Sequence, residues 1–191
     1  MTASTFHDAL RRLTLSAMFL AIGLILPFFT GQIQAIGHML LPMHIPVLLC
    51  GLVCGWQYGG GVGLVLPLLR SLMFGMPPVF PTAVSMSLEL AVYGLVIGLL
   101  YGLFKKQTIL AVYLSLIPAM LAGRIIWGVA QALLLGVGEN AFGWQAFVAG
   151  AFLNAIPGII LQLILIPAIM VILHHTGLVR FCKKESSHVT K

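Results

Sequence analysis

Apolar runs long enough to cross a bilayer alternate along this chain with short stretches rich in Gly, Pro and polar residues. A transmembrane helix needs about 20 mostly apolar residues. The first run covers 13–29 and ends near Pro27 and Thr30. A less apolar stretch from Gly31 to Met43, with Gln32, Gln34 and His38, reads as a loop. The second span is 44–56, and Trp56-Gln57-Tyr58-Gly59-Gly60-Gly61 reads as the turn after it. The third runs to Gly75 and is broken by Met76-Pro77-Pro78-Val79-Phe80-Pro81, since Pro and Gly punctuate regular structure. The fourth covers 82–104 and stops at Lys105-Lys106, the fifth covers 109–136, and the sixth covers 146–174. Spans two and three are short, so five helices with a re-entrant segment is the alternative count.

The distribution of charge tests that count. With a cytoplasmic N-terminus the inner segments hold Arg11, Arg12, Lys105, Lys106, Arg180, Lys183, Lys184 and Lys191. Arg70 and Arg124, the other two of the 10 basic residues, lie within spans, so the outer loops hold none. Positive charge on the cytoplasmic side is the known orienting signal, and this partition requires an even number of helices. The expected fold is therefore an all-α integral membrane protein, a six-helix bundle with both termini cytoplasmic. Residues 1–12 form an N-terminal segment, 13–176 the membrane domain and 177–191 a cytoplasmic tail. Arg11-Arg12 before an apolar run resembles a signal peptide, but no convincing cleavage site follows, and the run reads as the first helix.

Composition agrees. Of 191 residues, 60% are hydrophobic and 7% charged, and the mean hydropathy is +1.10. A soluble domain carries roughly a quarter charged residues, so most of this exterior must face lipid. The net charge of +6 sits at span ends and makes no patch for nucleic acid. Cys50 and Cys54 read as small buried hydrophobes, and His38 and His44 as loop histidines without the third partner a metal needs. With only four acidic residues there is no HExxH, no catalytic triad and no P-loop, so neither an enzyme nor a self-contained ATPase is expected. No cofactor or metal is expected.

Ionisable groups within the bilayer are costly and mark functional sites. Three are present, Arg70, Glu89 and Arg124, all at or beyond the midplane on the outer side. Arg124, Trp127 and Gln131 share one face of the fifth helix, and Ser85, Glu89 and Tyr93 one face of the fourth. Asn154 lies near the outer end of the sixth. Together they outline a polar pocket with an aromatic wall, and two guanidiniums against one carboxylate favour an anion or zwitterion. Arg70 and Glu89 have a structural alternative, a charge pair between helices, which leaves Arg124 without an acid. In the first helix Ala17 and Ala21 form a small-xxx-small pair, a pattern that admits another helix closely in lipid.

Taken together, the six short spans, Ala17-x-x-x-Ala21, the long loop after helix one, Ile45-Pro46-Val47-Leu48-Leu49-Cys50-Gly51, Tyr58-Gly59-Gly60-Gly61-Val62-Gly63 and Pro67-Leu68-Leu69-Arg70-Ser71-Leu72 resemble the substrate-capture (S) component of energy-coupling-factor (ECF) vitamin transporters, over nearly the whole chain. The resemblance implies capture of a vitamin-like molecule on the outer side of a bacterial plasma membrane, among the outer halves of helices four to six. It implies a transmembrane coupling subunit docked on the Ala17/Ala21 face, with two cytoplasmic ATPases beyond it. The metal-transporting relatives begin Met-His, whereas this chain begins Met1-Thr2, which points to a vitamin. A basic pocket suits a carboxylate such as pantothenate, niacin or folate, with a pyridoxine- or pyrimidine-like compound as the alternative. The rival functions are a self-sufficient secondary carrier or channel with Glu89 as its proton site, and a non-transporting scaffold.

Overall fold

The structure is a computed structural model and describes residues 3–30, 41–135 and 155–176. Among these residues there are six α-helices and no strand: α1 (Ala3–Ile25), α2 (His44–Cys54), α3 (Trp56–Phe74), α4 (Val84–Leu103), α5 (Ile109–Leu135) and α6 (Ile156–His175). The segments Phe6–Phe28, Val79–Leu103, Ile109–Leu135 and Ile156–His175 are long and apolar enough to cross a membrane. The chain is a multi-pass membrane protein.

Helix α2 is the centre of the bundle. Its 11 residues rise only about 16 Å at 1.5 Å per residue, short of a hydrocarbon core of about 30 Å. It packs against α1, α3, α4 and α6, and every residue but Val53 is buried. A segment apolar on all sides has no face to give to water, so burial within the bundle suits it.

The stretch expected to be a turn, Trp56–Gly61, is instead the start of α3. Gly55 alone reverses the chain, with φ of 99°, a conformation that glycine adopts without steric cost. The glycines that follow serve packing. A Cβ on Gly59 would lie 2.6 Å from Gly51 Cα, and one on Gly94 would overlap the Gly59 carbonyl group. Helices α2, α3 and α4 thus touch backbone to backbone, as small residues permit in membranes. At its other end α3 stops at Gly75, in the left-handed conformation with its N–H on Ser71 O at 2.9 Å, the usual glycine stop.

Antiparallel packing sorts the two ends of the bundle. Trp56 lies against Gly98, and Gly55 lies near Arg12, so Arg12 and the Lys105–Lys106 end of α4 share one end. Leu24, Phe28, Arg70 and Phe74 meet at the opposite end, the end from which α2 and α4 begin.

Candidate functional site

The site grows from the first turn of α2. Leu41, at φ of 51°, bends the chain so that the His44 N–H donates to Leu41 O at 3.0 Å. That turn sends His44 into the bundle, where it is 1% exposed. Its Nε2 lies 3.4 Å from Glu89 Oε1 on α4. The same carboxylate oxygen lies 3.0 Å from Arg124 Nη1 on α5. The Tyr93 ring stands edge-on to the imidazole, centroids 5.2 Å apart. A Cβ on Gly123 would lie 2.7 Å from Tyr93 Cε1, so that glycine opens the slot the tyrosine ring occupies. Towards the loop end, Gln131 Nε2 donates to Ser85 Oγ at 3.1 Å, and Ser85 Oγ donates to Thr82 O at 3.0 Å.

These groups are sealed from solvent yet incompletely paired. His44 Nδ1, Arg124 Nε and Nη2, and Gln131 Oε1 find no hydrogen-bond partner among the described residues. Glu89 Oε1 is within ion-pair range of both His44 and Arg124. Buried polar groups in folded proteins are nearly always satisfied, and an unmet one costs about 1–3 kcal/mol. Some buried side chains elsewhere in the bundle meet this rule. The buried Ser87 and Ser115 hydroxyls donate to the carbonyls of Ala83 and Ala111, each at 2.7 Å. Among the described residues most of the unmet capacity lies in this one cluster, the exceptions being the Tyr101 hydroxyl on α4 and both amide atoms of Gln162 on α6.

Several expectations change. Arg124 does not lack an acid, because it takes Glu89, and Arg70 does not pair with Glu89. The Arg70 Nη1 donates to Leu24 O at 2.8 Å. Its guanidinium carbon sits 5.3 Å from the Phe28 ring centre and 5.6 Å from that of Phe74. Leu24 directly follows Gly23 on α1, and no sequence spacing links its carbonyl to α3. His44 is not a loop histidine but the buried first residue of α2. Trp127 is partly buried on the α5 face of Arg124 and Gln131. Asn154, Gln32, Gln34 and His38 lie outside the described residues. Gln162 was not anticipated, although with Ile166 and Met170 it forms a buried i, i+4, i+8 stripe that the spacing alone displays.

The position of Arg70 supports a prediction. Arg70→Met removes a charge-assisted hydrogen bond and two cation–π contacts, and is expected to cost about 2 kcal/mol of stability. Ligand affinity of the folded fraction should stay within about twofold. Denaturant titration and equilibrium binding on the same sample check both; a large loss of affinity at unchanged stability would return Arg70 to the site.

On α1, Ser16, Gly23 and Pro27 face the bundle, whereas Leu10, Thr14, Ala17, Ala21 and Ile25 are exposed. The other helices of this chain therefore leave Ala17 and Ala21 exposed.

The described residues thus make an all-helical membrane bundle with an under-satisfied polar cluster towards one end. Residues 11–170 match the family described as ECF transporter, substrate-specific component, and the chain belongs to that family. This is a transporter component and not an enzyme family. Neither a curated protein nor a solved structure gives a significant match.

Proposed function

We propose that this protein captures a carboxylate-bearing vitamin or vitamin precursor from the outer side of the cell membrane and hands it to an ECF-type ABC importer. The observation that carries this reading is the free edge of Arg124. Its Nη1 is occupied by Glu89, while Nε and Nη2 have no partner at 5% residue exposure. Those two N–H groups point the same way and match the two oxygens of a carboxylate. Gln131, Trp127, Tyr93 and Asn154 complete the pocket in this reading, with Glu89 holding the guanidinium in place. All six helices then cross or line the membrane. Arg12 and Lys105–Lys106 mark the cytoplasmic end, and both termini lie there, as the positive-inside rule requires.

The exposed Ala17/Ala21 face of α1 receives the transmembrane coupling subunit, through which two cytoplasmic ATPases act. These 191 residues contain no P-loop, and this reading assigns ATP hydrolysis to other chains. Ala17→Leu and Ala21→Leu are expected to leave ligand binding unchanged and to lower uptake at least about tenfold, because a bulky side chain blocks close helix approach. Binding by the purified variants, beside uptake in cells supplying the coupling module, tests this. Lost binding in either variant would place the motif inside the ligand fold, and normal uptake would remove the face from partner docking.

A further inference from the structure

Charge at the cluster sets a condition on what enters it. With Arg70 turned away to Leu24, Phe28 and Phe74, one guanidinium and one carboxylate remain, 3.0 Å apart. The cluster is therefore neutral while the His44 imidazole is neutral. An entering carboxylate would leave one uncompensated negative charge among side chains that are at least nine-tenths buried. Burying a charge without compensation costs several kcal/mol, enough to cancel the hydrogen bonds to Arg124.

One group is placed to supply the missing charge. His44 Nδ1 has no hydrogen-bond partner, and Nε2 is 3.4 Å from Glu89. Imidazole is also the side chain whose protonation changes near neutral pH. The titratable and charged groups facing it are Glu89 and Tyr93 from α4 and Arg124 from α5. Among the described residues, α1, α3 and α6 bring it no other. Arg12 lies at the opposite end beside Gly55, Arg70 is engaged elsewhere, and His174 and His175 end α6 in exposed positions. Glu89 is a poor recipient, because protonating it would break its pair with Arg124.

We propose that carboxylate and proton enter this site together, one to one, with His44 taking the proton. Imidazolium then pairs with Glu89, the ligand carboxylate pairs with the Arg124 free edge, and the filled site is again neutral. The inference rests on the reading of Arg124 as the carboxylate anchor. It adds a binding role for His44 and makes the preferred cargo a monoanion at the site. The bound state holds one more proton than the free state, so affinity rises as pH falls. Above the His44 midpoint it weakens by about tenfold per pH unit.

The test uses the full chain in lipid nanodiscs with nicotinate, pantothenate and folate as probes, titrated calorimetrically between about pH 6 and pH 8.5. Each titration is repeated in two buffers of different ionisation enthalpy, which counts protons on the unaltered protein. Expected is a probe whose binding requires Arg124, weakens about tenfold per pH unit at the alkaline end and takes up one proton there. In His44→Gln the pH dependence should vanish. A probe that needs Arg124 but binds with constant affinity and no proton uptake would overturn the coupling and leave the capture function standing. Proton uptake that persists in His44→Gln would overturn the assignment to His44. If no probe binds at any pH, the carboxylate anchor itself fails, and the coupling with it.

Discussion

Gly94→Ala is expected to prevent the bundle from closing. The added methyl would fall on the Gly59 carbonyl group, which is backbone and cannot rotate aside. Gly59 is itself pressed against Gly51, so relief requires moving α3 or α4 as a whole. Overpacking a core with one methyl ordinarily costs about 1–3 kcal/mol, and a clash with backbone lies at or beyond the top of that range. Gly61→Ala is the control, since a Cβ there meets nothing within 4 Å. It should be neutral, or stabilising by up to about 1 kcal/mol through helix propensity. Unfolding both variants in mixed micelles decides between packing and flexibility as the reason for the glycine run. Equal effects at the two positions would mean that helix contact is not what these glycines serve.

Arg124→Ala is expected to weaken carboxylate binding by about 100-fold, roughly 3 kcal/mol. Stability complicates that variant, because it strands Glu89 in a buried site, and breaking a buried ion pair from one side costs about 3–5 kcal/mol. The paired variant Arg124→Met with Glu89→Gln separates the effects. Replacing both charges by uncharged groups of similar size should restore most of the stability without restoring affinity. Recovery of both together would show that Arg124 acts only by holding the helices, and unchanged affinity in Arg124→Ala would remove it from the site.

The long helices were legible because lipid imposes a length and a polarity on a spanning helix. The charge pattern that ends α4 at Lys105–Lys106 was equally plain. Two features misled in the same way. Trp56–Gly61 resembles a turn because glycine does occur in turns, yet it also occurs where helices touch, and composition does not distinguish the two. Pairing Arg70 with Glu89 assumed that opposite charges at similar depth meet. The partner of Arg70 is a backbone carbonyl between two aromatic rings, which charge counting does not register. The polar cluster was legible in part. Glu89, Arg124 and Gln131 stood out because charge and amide are rare in apolar spans. His44 did not, because it sits where loop becomes helix, and only the fold turns it inward. With Arg70 turned away and His44 turned inward, the described cluster holds one guanidinium, one carboxylate and one imidazole.

The most direct test is native mass spectrometry of the gently extracted chain, with chemical identification of any small molecule it releases. Expected is a single vitamin-sized compound bearing a carboxylate, one per chain, and absent from Arg124→Ala. A chain that carries nothing, or one whose compound lacks a carboxylate or survives in Arg124→Ala, would contradict capture at the Arg124 edge.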